Sequence, residues 1–77
     1  MDKINWQYFD QDDCLQFLDE RYSVLYWINR IGDLYYLNHS SDLFDLTNYE
    51  IMNISEDLDY LKYLAESDYQ KKIEYIV

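Results

Sequence analysis

The groups with chemistry available to them in this 77-residue chain are one histidine, one cysteine and several short acidic runs. His39 stands beside Ser40 and Ser41, and nucleophilic catalysis needs a nucleophile with an oriented base. Neighbours in sequence are not a triad, so a loop histidine is the simpler reading. Cys14 falls on an apolar stripe, as a packed thiol does. Asp12 and Asp13 beside it would raise its pKa, the opposite of what activation requires. Asp10, Asp12 and Asp13 have the composition of calcium ligands. An EF-hand loop, however, needs ligands at positions 1, 3 and 5, Gly at 6 and Glu at 12. Gln11-Asp12-Asp13-Cys14 breaks that pattern and no glycine follows. A helix N-terminus explains the run more simply, and Glu56, Asp57 and Asp59 read the same way. Paired carboxylates can cleave glycosides, but so short a chain has little room for a sugar cleft beside a core. The expectation is a non-enzymatic protein with no metal and no cofactor.

The elements that would position these groups read as one α+β domain over residues 1–77. Residues 10–21 have a helical pattern, with Asp10 as cap and Cys14, Leu15, Leu18 and Tyr22 at helical spacing. Tyr22–Ile28 and Leu34–Leu37 are rich in aromatic and branched residues and read as a β-hairpin over 22–38. The only glycine, Gly32, lies between them, where a positive φ is useful. His39-Ser40-Ser41-Asp42 reads as a loop and Leu43-Phe44-Asp45-Leu46 as a short apolar patch. Thr47–Ile54 fits either a third strand or a helical entry. Residues 55–66 read as a helix capped by Asn53 or Ser55, with Leu58, Leu61, Leu64 and Ala65 inward. Ser67-Asp68-Tyr69-Gln70 fits a capping box, which would start a second C-terminal helix with Tyr69, Ile73, Ile76 and Val77 on one side.

Charge is the strongest compositional signal. Sixteen acids against six bases give a net charge of −10 and a pI near 4.1. Direct nucleic-acid binding is disfavoured, because phosphates are neutralised by clustered Lys and Arg. An anionic membrane surface is disfavoured for the same reason. No apolar run approaches the roughly 20 residues of a membrane span, and the opening Met1-Asp2-Lys3-Ile4-Asn5 lacks the layout of a signal peptide. A lone cysteine suits a reducing cytoplasm. Ten Tyr, two Trp and three Phe argue against disorder. Gly, Ala, Arg and Pro together supply only four residues, which points to an AT-rich genome such as that of a low-GC Gram-positive bacterium or its phage. Residues 1–20 carry −5 and residues 42–68 carry −7, while the aromatic stretch 21–41 carries +1. The charge density exceeds the magnitude of about 2–8 that suffices for solubility in a small domain. A row of carboxylates about 5–6 Å apart on a helix could offer a basic groove the charge pattern of DNA phosphates. The carboxylates best placed for this are Asp10, Asp13, Asp42, Asp45, Glu50, Glu56, Asp57 and Asp59.

Ser40-Ser41-Asp42-Leu43-Phe44 resembles the bacterial sliding-clamp-binding pentapeptide, Gln-x-(Asp/Ser)-Leu-Phe. Asp42, Leu43 and Phe44 match its last three positions, and Ser40 replaces the Gln. With its size, acidity and composition, the chain resembles small acidic phage proteins that disable a host DNA-binding protein, most of all the sliding-clamp inhibitors of staphylococcal phages. The resemblance implies that acidic residues occupy the clamp's DNA channel, that Leu43 and Phe44 fill its peptide pocket, and that replication stops. It also implies action in the host bacterial cytoplasm. Tyr35 and Tyr36 of the hairpin are further contact candidates, since aromatic residues dominate interface energetics. The same features suit an anti-CRISPR, anti-restriction or uracil-glycosylase inhibitor, or an acidic immunity or antitoxin protein. Surplus aromatic surface and an exposed hairpin edge favour a homodimer pairing the near-neutral stretches around 21–41 or 69–77.

Overall fold

Two branched and aromatic runs separated by Gly32-Asp33 form the central hairpin, and the rest of the chain is laid against it in sequence order. In a computed structural model, which describes residues 4–45 and 47–76, five strands form one antiparallel sheet. They are β1 (Gln7–Phe9), β2 (Cys14–Asp19), β3 (Val24–Ile31), β4 (Leu34–Ser40) and β5 (Glu50–Ser55), ordered β1-β2-β3-β4-β5. A single helix, α1 (Leu58–Ile76), follows β5. The short stretch Asp10–Asp12 is a 3₁₀ turn. Met1–Lys3, Leu46 and Val77, which entered the sequence reading, lie outside the described residues.

The expected arrangement of an N-terminal helix, a hairpin and two C-terminal helices is corrected in two places. Residues 10–21 are not a helix. Asp13 adopts φ 47° and ends the 3₁₀ turn, after which Cys14–Asp19 pairs with β3 from Cys14↔Asn29 to Asp19↔Val24. Leu15 and Phe17 face one side of the sheet and Cys14 and Leu18 the other. A strand that is apolar on both faces imitates a helical stripe, and only the partner strand resolves the ambiguity. The C-terminal region is one helix, not two, and its N-cap is Asp57. The Asp57 carboxylate accepts the Tyr60 N–H at 3.2 Å, and Ser55 Oγ in turn accepts the Asp57 N–H at 3.0 Å. The apolar stripe Leu58, Leu61, Ala65, Tyr69, Ile73 continues through Ser67 without a phase shift, so nothing breaks the helix there. Thr47–Ile54 resolves as strand from Glu50 onward.

The core lies between the helix and one sheet face. The rows Leu15–Ile28–Leu37 and Phe17–Tyr26–His39 run across β2, β3 and β4. Leu61, Ala65 and Tyr69 of α1 pack on them with Ile4 and Val24. Tyr26, Leu37, Leu61 and Ala65 are fully buried, and each large apolar side chain among them contributes roughly 1.5–3 kcal/mol. Phe17, Tyr22 and Tyr26 meet the Tyr69 ring edge-on. A bulge opposite Leu37 and Asn38 lets Met52 turn towards this core.

Among the described residues no strand or helix covers the opposite face, on which Cys14, Leu25, Asn38 and Ser40 are buried by their neighbours. It bears Gln7 and Phe9 of β1, Cys14, Gln16 and Leu18 of β2, Leu25, Trp27, Asn29 and Ile31 of β3. From the other side it bears Leu34, Tyr36, Asn38 and Ser40 of β4, and Ile51 and Ile54 of β5. Not one of these side chains is charged.

Candidate functional site

The meander sends alternate connections to opposite ends of the sheet. The β1–β2 turn, the β3–β4 turn and the β5–α1 junction share one end. Together they bring Asp10, Asp12, Asp13, Asp33, Glu56, Asp57 and Asp59 there, all of them exposed. Among the described residues the one ion pair to these acids is Asp13 with Arg30 Nε at 3.2 Å, and Tyr8 donates its hydroxyl to Asp13 at 3.0 Å. That donation, together with the nearby carboxylates, holds the Tyr8 phenol above its ordinary pKa. Turns two strands apart are separated by about 10 Å, so the acids span the width of the sheet edge. They sit on turns, not on the helical rows that the sequence suggested.

The 41–49 loop lies at the other end, beyond β4. Asp42 shapes its first half: one carboxylate oxygen accepts the Phe44 N–H at 3.1 Å and the Asp45 N–H at 3.2 Å. Ser40 Oγ anchors the loop, accepting the Asp42 N–H at 3.2 Å and lying 3.1 Å from the Asn48 carbonyl. Asp45 then accepts the N–H of Thr47 at 3.1 Å and its hydroxyl at 2.5 Å. Held this way, Phe44 is 104% exposed, while Leu43 is half-buried. Tyr49 leaves the loop and packs on Trp27, ring centroids 5.2 Å apart.

The residues singled out from the sequence therefore fall into separate places. Asp10, Asp13, Glu56, Asp57 and Asp59 come together at the acidic end. Asp42, Leu43, Phe44 and Asp45 come together at the loop end, one strand length or about 23 Å away. Tyr35 and Tyr36 are split between faces, Tyr35 against the core and Tyr36 on the uncovered side. Glu50 lies beside His39.

His39 belongs to a polar bridge between sheet and helix. Its Nδ1 lies 3.3 Å from Glu50 Oε1 and its Nε2 2.7 Å from Lys72 Nζ. Lys72 also pairs with Asp68 at 3.3 Å, and Asp68 accepts the buried Tyr26 hydroxyl at 2.5 Å. An ammonium has only donors, so Nε2 accepts and the proton sits on Nδ1, facing Glu50. Burial and then the Lys72 charge push the His39 pKa down. Burial and the Asp68 carboxylate push the Tyr26 phenol up. A second buried carboxylate, Asp19, accepts the Tyr69 hydroxyl, the Arg21 N–H at 2.9 Å and the Arg21 guanidinium at 3.2 Å. Burial alone would raise Asp19, but these donors outweigh it and hold its carboxyl below the usual range. The Tyr69 phenol is pushed up to about 12 by burial and by that carboxylate. The Cys14 thiol, also buried, is pushed up by desolvation. These groups satisfy one another inside the fold; His39 also borders an open cleft of about 220 Å³ lined with Ser40, Ser41, Asn48, Tyr49 and Glu50. Among the described residues no group of His, Cys, Asp or Glu has metal-binding geometry, and no helix is long and apolar enough to cross a membrane.

Sequence reasoning missed the uncharged sheet face. Its signal was present as an absence: positions 25, 27, 29 and 31, then 34, 36, 38 and 40, carry no charge in a chain that is 29% charged. No family model matches the chain, and no curated protein or solved structure matches it.

Proposed function

We propose that this protein is a non-enzymatic, phage-type inhibitor that binds a basic DNA-binding protein of a bacterial host in the cytoplasm, imitating DNA phosphates. The observation that carries this reading is the convergence of seven exposed carboxylates on one end of the sheet, with Arg30 as their one ion-paired cation among the described residues. Holding that many like charges together costs folding stability, and a lysine- and arginine-lined channel would repay it while steering fast association. The fully exposed Phe44, on a turn ordered by Asp42, supports the sliding clamp as the target. A fully exposed aromatic side chain on a turn of ordered backbone can enter a hydrophobic pocket without unfolding anything, at the cost of its own rotamer freedom. Occlusion of the DNA channel and peptide pocket would block replication without any bond being made or broken.

The test is calorimetric titration of the purified protein into a low-GC Gram-positive sliding clamp at two salt concentrations. Binding should weaken steeply with salt. Phe44→Ala should lose about 10- to 100-fold in affinity, as an anchor truncation does, and Glu56→Gln with Asp59→Asn should flatten the salt dependence. No binding to the clamp, with capture of a nuclease, glycosylase or CRISPR component, would keep charge mimicry and replace the target. A basic toxin as the captured partner would assign the protein to the immunity or antitoxin class. Binding to the clamp that is indifferent to salt and to Phe44 would overturn the mechanism.

A further inference from the structure

We infer that the uncharged sheet face is covered by a second copy of this chain, packed face to face with its strands antiparallel, in a helix–sheet–sheet–helix dimer. The face is apolar where it is most accessible: Ile31 is 60% exposed, Ile51 51% and Leu18 50%, with Ile54, Phe9 and Leu34 close behind. Five strands about 4.8 Å apart and on average about six residues long present roughly 500 Å² in projection. Cys14, Leu25, Asn38 and Ser40 of this face are already buried by their neighbours, so the accessible area is carried by the larger side chains around them and falls short of the ~800 Å² that each partner gives to a standard interface. The largest apolar patch of a typical monomer is about 300–600 Å² and is often functional, and this face, interrupted only by uncharged polar side chains, is of that size.

Charge selects the occupant. The basic target proposed above would find no carboxylate on this face. A second copy would meet no like charge on it, because every acid of the sheet points to the helix side or lies on a connection. The two helices would lie on the far sides of both sheets, well beyond the ~8 Å Debye length of physiological salt. Sheets stacked in the aligned class keep their strand directions within about 30° of one another, and aligned packing has two orientations. With strands parallel, two acidic ends of seven carboxylates each would lie side by side. With strands antiparallel, each acidic end lies beside the partner's opposite end, where the fewer acids Glu20, Asp42 and Asp45 stand with Arg21 and Lys71. The antiparallel arrangement avoids the larger repulsion.

That orientation has a functional consequence, which rests on the reading under Proposed function. In one chain Phe44 and the acidic turns are a strand length apart at opposite ends. In the antiparallel dimer the Phe44 loop of one protomer stands at the same end as the acidic turns of its partner. Each end of the dimer then offers both the charge row and the aromatic anchor.

The dimer is tested on the protein alone, independently of any target. Sedimentation equilibrium across the micromolar range should show a dimer. Ile31→Lys and Ile51→Lys, each at a side chain already open to water in the single chain, should weaken it by about 100-fold while leaving the circular dichroism spectrum unchanged. A monomer throughout that range, or a dimer indifferent to both substitutions, would overturn the proposal. So would a monomer in which Ile31→Lys abolishes target binding, since the face would then belong to the target. Orientation is read from a spin label at Asp33→Cys in a Cys14→Ala background. Asp33 lies in the central β3–β4 turn, so antiparallel packing puts the two labels about 25 Å or more apart. Parallel packing would put them about 10–15 Å apart and would overturn that arrangement.

Discussion

His39 is the residue whose state decides how firmly the helix sits on the sheet. Protonated, it would place an imidazolium against the Lys72 ammonium, 2.7 Å from Nε2, and Glu50 and Asp68 compensate only in part. Its folded pKa is depressed below the ordinary 6.5, first by burial and then by Lys72. The unfolded chain therefore takes up a proton that the folded chain refuses, and stability falls as pH drops through 6.5 towards the folded value. Asp19, also depressed relative to its ordinary 3.8, adds a second loss in the same direction at lower pH. Urea unfolding followed from pH 7.5 to 3 should show both losses. In Lys72→Met the upper one should shrink without vanishing, because burial is the larger cause. A flat profile between pH 7 and 5 would refute this account of His39. Neither network was legible in the sequence: Asp19 and Tyr69 are 50 positions apart, and Tyr26 and Asp68 are 42. Of the expected loop His39–Asp42, Ser41 and Asp42 are loop while His39 and Ser40 end β4, and Leu43 and Phe44, read as an apolar patch, lie on the turn that Asp42 organises.

At the scale of elements, local signals held where the chain turns on itself. Gly32, at φ 63°, marks the β3–β4 turn where the sequence placed it. Local signals failed where tertiary pairing overrides them. Cys14–Asp19 matches a helical stripe and a two-faced strand equally well, and β3 decides between them. Ser67-Asp68-Tyr69-Gln70 satisfies a capping box, yet a helix already running through it has no unpaired N–H for Ser67 to cap. The two readings separate by substitution. Asp57→Ala should cost about 1 kcal/mol as the loss of a true N-cap, whereas Ser67→Ala should stay within about 0.5 kcal/mol or stabilise slightly. Chemical denaturation of both variants checks this, and a cost at Ser67 equal to that at Asp57 would restore the second helix start.

At the scale of the whole molecule, charge is sorted by topology. The linear sequence shows two acidic blocks, residues 1–20 and 42–68, and gives no sign that Asp10, Asp12 and Asp13 of the first share one end of the sheet with Asp33 and the Glu56–Asp59 stretch. Only the up-and-down course of five strands brings them together. Seven carboxylates in one place repel, and salt screens that repulsion. Raising sodium chloride from 10 mM to 0.3 M should therefore raise the melting temperature, by about 5 °C if the relief is near 1 kcal/mol. Asp33→Asn combined with Glu56→Gln should remove part of that dependence. A melting temperature that falls with salt would mean that ion pairs such as Asp13–Arg30 outweigh the repulsion.

The order of the strands also governs how the chain assembles. Each strand pairs only with its neighbours in sequence, so the sheet can zip up through successive short closures, each with a small entropic penalty. The closure from Asp19 to Tyr69 is of another kind, because the helix must return across the finished sheet to reach β2. Low contact order within the sheet favours rapid pairing. The arrival of the helix is then the step that seals the buried carboxylate and converts a ribbon of hairpins into a folded protein.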